Sequence, residues 1–164
     1  MRNLFFFLLL GLTTAFAQQP ETSTTLFLVR HAEKADQTDT SPLTERGKAR
    51  AEKLAEMLRD ATVQAVYSTN YVRTRETGRP LAEKRGLTVQ PYEAKDEGFA
   101  KTIVEKHGGQ RVLVVGHSNT IPKLVNALAG TNLSNLNDDE YDALFVVTVP
   151  KRGTPQVVVL RLTP

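Results

Sequence analysis

After an apolar run from Leu4 to Leu12, the chain alternates short apolar stretches with segments of helical spacing or polar composition. Leu26 to Val29, Val63 to Tyr67, Leu87 to Tyr92, Val112 to Val115, Leu144 to Val149 and Gln156 to Leu162 each have the length and bounding residues of a strand. The first and fourth are apolar at every position, the mark of strands covered on both faces in a parallel sheet. Between the first two, Ala51, Leu54, Ala55 and Leu58 fall on one helical face, with Thr44 placed to cap the helix. Tyr71 to Thr77 opens a second helix, which Gly78 and Pro80 are expected to kink or break, with Pro80 starting its second part. A third helix is expected from about Gly98 to Lys106. A fourth follows Gly116-His-Ser-Asn119, with Pro122 in its first turn and Gly130 at its end. Lys151 to Pro155 joins the last two strands as a hairpin, while Asp36 to Pro42 and Asn132 to Asp142 are polar loops. Strands alternating with helices predict a single layered α/β domain with a mostly parallel sheet, without internal repeat or dividing linker.

The amino terminus stands apart from that pattern. Arg2, the apolar run and the small-residue site Ala15-Phe-Ala17 have the layout of a secretory signal peptide, and the run is too short to span a bilayer. The expected division is residues 1–17 as signal and 18–164 as the folded domain, in the periplasm or secreted and free of the membrane after cleavage. The chain has no cysteine. No disulfide can staple the fold, and zinc sites built on thiolates are excluded. The net charge of +3 is spread over basic residues interleaved with acids. A nucleic-acid surface calls for a basic stripe or stacking aromatics, so a small anionic partner is the better expectation.

The chemistry-bearing residues gather where apolar runs stop. Leu26 to Val29 gives way to Arg30 and His31, and Val112 to Val115 gives way to Gly116 and His117. Open α/β sheets bind ligands just beyond the carboxyl ends of their strands. A strand, a glycine turn and a helix in succession also turn the helix's first backbone amides toward that place. Arg73 lies one turn into the second helix, within reach of the same end. Guanidinium groups hold phosphoryl oxygens in forked geometry and stay charged, so the arginines indicate phosphate. A neutral imidazole can attack phosphorus and form a covalent intermediate that water later cleaves. Glu33 is read as balancing local charge, Arg75 as structural, and His107, before Gly108-Gly109, as a solvated residue near a helix end.

Leu-Val-Arg-His-Ala-Glu-Lys34, then Tyr-Ser-Thr-Asn-Tyr-Val-Arg-Thr-Arg-Glu-Thr77, then Val-Val-Gly-His-Ser-Asn119 resemble, in order, three motifs of the histidine phosphatase superfamily, the phosphoglycerate-mutase-like group. The short spacing between them is similar to the small branch typified by bacterial phosphohistidine phosphatases. The resemblance implies a three-layer α/β/α fold acting on a small phosphorylated substrate with no metal or organic cofactor. It implies His31 as the phosphorylated nucleophile, Arg30 and Arg73 as phosphate-binding residues, and His117 as a donor to the group in transfer. Many members carry an acid after the third strand to protonate the leaving oxygen. Asp96 is the first choice here by position, with Glu97 and Glu93 behind it.

Three other readings compete: a phosphomutase of the same family, a non-catalytic anion-binding module, and a metallohydrolase using His31, His107 and His117. Export and the scarcity of inserted loops weigh against the first, and the full set of candidate catalytic residues against the second. The histidine spacing, which matches no common zinc motif, weighs against the third. The particular ester and the oligomeric state are not encoded in any motif.

Overall fold

The structure is a computed structural model that describes residues 23–162. The expected signal peptide, with its cleavage near Ala17, lies outside the described residues. The elements run β1 (Thr24–Arg30), α1 (Glu45–Met57), β2 (Ala65–Ser68), α2 (Val72–Lys84), β3 (Val89–Pro91), α3 (Phe99–Lys106), β4 (Arg111–Gly116), α4 (Thr120–Ala129), β5 (Ala143–Val149) and β6 (Gln156–Arg161). They form one six-stranded sheet in the order β3-β2-β4-β1-β5-β6.

The sheet is mixed. β3, β2, β4 and β1 are parallel to one another, whereas β5 runs antiparallel to both β1 and β6. The expectation of a mostly parallel sheet holds for the four strands that carry the site. The departure has a simple cause: after α4 the chain runs through residues 130–142, whose Asn137, Asp138 and Glu140 carbonyls meet Arg30 at the carboxyl end of β1, so β5 starts at that end and runs back antiparallel, and a hairpin adds β6. Gly153, at a φ of 103°, makes the turn of that hairpin.

Side-chain alternation along the strands divides the core into two layers. Leu26 and Leu28 of β1 and Val112 and Val114 of β4 pack with Phe99 and Ile103 of α3 and Ile121 and Val125 of α4. Phe27, Val29, Leu113 and Val115 point the other way, onto Leu54 and Ala55 of α1 and Leu81 and Ala82 of α2. Both faces of β1 and β4 are thus covered, which is why these strands are apolar at every position and not at alternate ones. The result is the three-layer α/β/α arrangement.

α1 begins as its sequence requires, with the Thr44 hydroxyl accepting from the Gly47 amide at 3.0 Å. A Cβ at Gly47 would collide with the Glu33 carbonyl. The helix can therefore approach the end of β1 only with glycine at this position. α2 corrects the expected kink, because it runs unbroken through Pro80. Proline removes one helical hydrogen bond. The face formed by Thr74, Thr77, Gly78, Leu81 and Ala82 is nevertheless buried, and that packing holds the helix together. A Cβ on Gly78 would lie 3.0 Å from Val66 Cγ1, so glycine here serves close approach to the sheet. His107 is a second correction. It is buried, with Nδ1 donating to Gln110 Oε1 at 2.7 Å and Nε2 accepting from the Tyr67 hydroxyl at 3.0 Å.

Glu33 ties the end of β1 to α1. Arg50 approaches its carboxylate with Nε and Nη2, the shortest contact being 2.7 Å, and gives Nη1 to the Leu162 carbonyl at 2.6 Å. Arg46 adds an exposed ion pair at 3.0 Å. Burial pushes the Glu33 carboxyl up, but the Arg50 hydrogen bonds and the charges of Arg50 and Arg46 outweigh it and hold the group below its usual value. Removing one partner of such a pair strands the other charge. Arg50→Ala is accordingly expected to lower the unfolding free energy by about 3 kcal/mol in urea titrations. Lys48→Ala, which breaks an exposed pair with Glu45, is expected to change it by less than about 1 kcal/mol.

Candidate active site

The parallel register of β1 and β4 pairs Arg30 with Gly116, and the His31 amide donates to the Gly116 carbonyl at 2.9 Å. His31 and His117 therefore leave neighbouring strands at the same height. Their ring centroids are 5.4 Å apart, edge to face. Gly116 is required at this junction: a Cβ there would lie 2.7 Å from Thr120 Oγ1 and 2.9 Å from Ile121 Cδ1.

Each ring has one nitrogen fixed. His31 Nδ1 lies 2.8 Å from the Ala32 carbonyl, which can only accept, so Nδ1 carries the proton and Nε2 keeps its lone pair. His117 Nε2 lies 2.9 Å from Thr69 Oγ1. Thr74 gives its single hydroxyl proton to a carbonyl, Thr69 O at 2.7 Å or Tyr71 O at 2.9 Å. Its oxygen can then accept from the Thr69 hydroxyl at 3.1 Å, which leaves Thr69 Oγ1 to accept from His117 Nε2. Burial lowers His31 to about 3, aided by the charges of His117, Arg30 and Arg73, while its bond to Ala32 opposes the shift. Burial also lowers His117 to about 4, with Arg73, Arg30 and Lys34 adding to the effect. Both rings are neutral at pH 7.

Two buried arginines flank them. Arg30 Nη1 donates to the carbonyls of Asn137, Asp138 and Glu140 at 2.8, 3.0 and 3.2 Å, and its guanidinium lies 4.0 Å over the Tyr141 ring. Arg73 Nη1 reaches the carbonyls of Thr38 and Asp39, both at 3.3 Å, and its guanidinium lies 4.4 Å from the Tyr71 ring centroid. The loops Asp36 to Pro42 and Asn132 to Asp142 thus clamp one arginine each. The Nε atoms of both arginines are buried without a hydrogen-bond partner among the described residues. An unpaired buried donor is costly, and an anion between the two would satisfy both.

A cavity of about 810 Å³ brings these groups together. Arg30, His31, Arg73 and His117 line it with Lys34, Tyr71, Glu97 and the start of α4, Ser118 to Thr120. Asp96 does not line it. Its carboxylate accepts from the Gly98 amide at 2.8 Å at the start of α3 and borders an adjoining cavity, as does Glu93. Of the three candidate acids, Glu97 is the one that lines the cavity with His31. Which side chains of an irregular loop turn toward a cavity cannot be read from sequence, so the three acids could be ranked there only by position. Tyr71, Tyr141, Thr69 and Thr74 also went unnoticed. Their contacts join distant segments, and only the Thr69 to Thr74 spacing hinted at a local hydroxyl pair. His107, buried against Tyr67 of β2, does not line this cavity. Among the described residues no group of three histidines or acids lies close enough to hold a metal ion.

The lowered histidines give the fold a signed pH dependence. An unfolded chain takes up protons near pH 6.5 while the folded rings stay neutral to about 4 and about 3. Below pH 6.5 the unfolded state therefore binds more protons, and stability falls as pH falls through that window. Thermal melting is expected to drop between pH 7 and pH 4, and by less in His31→Asn. Equal slopes in the two proteins would contradict the assignment.

The site can be compared with known proteins. Residues 26–97 match the family model of the histidine phosphatase superfamily, branch 1. No curated protein sequence matches the chain. Among solved structures, YhfR of Bacillus stearothermophilus is similar at 22% identity and a TM-score of 0.67, covering 83% of this chain and 96% of that one. The protein histidine phosphatase SixA, in a tungstate complex, gives 17% identity, a TM-score of 0.69, and coverage of 84% and 97%. A mycobacterial glucosyl-3-phosphoglycerate phosphatase gives 14%, 0.70, and 86% and 100%. The chain carries the histidine phosphatase superfamily signature, branch 1, over residues 26–97, in a fold shared with phosphoglycerate-mutase-like proteins.

Proposed function

We propose that this chain is a phosphatase that hydrolyses small phosphomonoesters through a phosphohistidine on His31, without a metal or organic cofactor. The observation that carries the reading is the setting of His31: a neutral ring, its Nδ1 tied to Ala32, beside two buried arginines whose Nε groups lack partners. The similarity in fold to a mycobacterial glucosyl-3-phosphoglycerate phosphatase and to the protein histidine phosphatase SixA supports the same reading.

The chemistry follows from the placements. The phosphoryl oxygens lie between Arg30 and Arg73, which neutralise them and aim phosphorus at His31. The His31 Nε2 lone pair forms the N–P bond as the ester P–O bond breaks, and the adduct's positive charge is held by the Nδ1–H bond to Ala32. The arriving dianion offsets the cationic field that lowers His117, so that ring takes a proton and donates to the group in transfer. Glu97 delivers a proton to the departing oxygen, giving the alcohol. The same carboxylate then accepts a proton from the water that cleaves the N–P bond, releasing phosphate and restoring His31.

Export is part of the proposal. Arg2, the run Leu4 to Leu12 and Ala15-Phe-Ala17 support a cleaved leader, and among the described residues no helix is long and apolar enough to cross a membrane. Amino-terminal sequencing of protein recovered from the periplasm is expected to begin at Gln18, and a chain that still begins at Met1 would contradict cleavage.

Steady-state kinetics test the roles. His31→Ala is expected to abolish turnover, and Arg30→Ala, Arg73→Ala and His117→Ala to lower kcat/KM by at least about 100-fold each. Glu97→Gln is expected to cost about 100-fold or more with alkyl phosphates and far less with 4-nitrophenyl phosphate, whose leaving group needs no proton. Asp96→Asn is expected to change neither. Chelators should leave wild-type rates unchanged. Vanadate binding without turnover by the wild-type protein would instead assign it to non-catalytic anion binding.

A further inference from the structure

Beside the cavity of His31 lies a second one of about 270 Å³, and the two share Ala94, Lys95, Glu97, Thr120 and Lys123 on their walls. Its inner wall is apolar. Tyr92 and Phe99 stack at 4.3 Å between centroids with planes 12° apart, and Leu124 and Ala127 of α4 face them. Tyr92, Phe99 and Leu124 are buried, while three acids, Glu93, Asp96 and Glu97, and two lysines, Lys95 and Lys123, are exposed on its outer part. Burial pushes the Tyr92 hydroxyl up to about 12, so it does not ionise in the working range.

Nothing in the phosphate chemistry requires this second cavity. A phosphomonoester held between Arg30 and Arg73 with phosphorus against His31 must direct its alcohol portion elsewhere. Glu97, the candidate acid that lines the cavity of His31, stands on the wall common to both cavities. An oxygen protonated by Glu97 therefore lies at the passage between them, and the carbon attached to it lies toward Tyr92 and Phe99.

We infer that the second cavity receives the alcohol portion of the substrate, and that the enzyme selects phosphomonoesters whose alcohol carries a flat apolar ring. The inference rests on the phosphatase reading and adds to it a class of leaving group. Aromatic and aliphatic walls recover the free energy of removing a ring from water, and they give nothing to a small alkyl group or a fully hydroxylated one. The exposed outer part, with Glu93, Asp96 and Glu97 beside Lys95 and Lys123, offers charges of both signs to polar substituents beyond the ring.

The test compares 2-phenylethyl phosphate with ethyl phosphate. Their alcohols have nearly equal acidity, so the ratio of kcat/KM reads recognition of the ring and not leaving-group chemistry. Ala127 is exposed on α4 and lines the second cavity but not the first, so Ala127→Trp adds bulk to the second alone. Wild-type protein is expected to prefer the phenylethyl ester by about tenfold or more. Ala127→Trp should bring that ratio close to one by lowering the phenylethyl rate, and Ala127→Asp, which adds charge in place of bulk, should act in the same direction. A ratio near one in the wild type, or a preference that survives both substitutions, overturns the inference while His31-dependent hydrolysis of ethyl phosphate leaves the phosphatase reading standing. Absence of His31-dependent hydrolysis of either ester removes both.

Discussion

The site depends on the in-register parallel pairing of β1 with β4. Leu26 to Arg30 matches Val112 to Gly116 residue for residue, so both strands release the chain at the same level of the sheet. A slip of one residue would turn every side chain to the opposite face, exchanging the two apolar layers and separating the histidines. The pairing is fixed by burial on both sides, since Leu28 and Val114 fill one layer while Val29 and Val115 fill the other. Stability and function therefore share one determinant. The hydrophobic sorting that fixes the register also fixes the 5.4 Å spacing of the two rings.

Around that junction the protein holds positive charge without letting it reach the nucleophile as a proton. Arg30 and Arg73 are buried beside His31, and desolvation, with their field as a smaller addition, keeps the imidazole unprotonated and its Nε2 lone pair available. The cost of burying two guanidinium groups is offset locally. Loop carbonyls accept from one nitrogen of each, and Tyr71 and Tyr141 lend their ring faces. Such an arrangement is pre-organised for a dianion, because the donors are held by loops already packed against the sheet and need not reorganise when charge arrives.

How much of this was legible in the sequence depended on whether a feature was local. The β1 and β4 runs and the histidines that end them could be read directly, because a strand buried on both faces has no polar interruption until it stops. Arg73 could be placed from its helix position one turn beyond β2. Features that join distant segments could not. His107 looks like a residue before a glycine turn until Tyr67 arrives from another strand to bury it. Pro80 looks like a helix break until the sheet beneath α2 supplies packing that outweighs one missing hydrogen bond. The choice between Asp96 and Glu97 is set by the path of a short loop, where neither the helical nor the strand period applies. The antiparallel β5 and β6 were visible as strands and as a hairpin, but their direction relative to β1 was not.

The central claim is that the His31 imidazole takes up phosphorus. Mixing the protein with a phosphomonoester, quenching in alkali on the millisecond scale and mapping the adduct by mass spectrometry tests it most directly, since phosphohistidine survives base whereas an acyl phosphate does not. The account predicts a transient phosphoryl group on His31 that forms faster than steady-state turnover. A phosphoryl group on another side chain, or turnover by a His31→Ala protein at the wild-type rate, would contradict it.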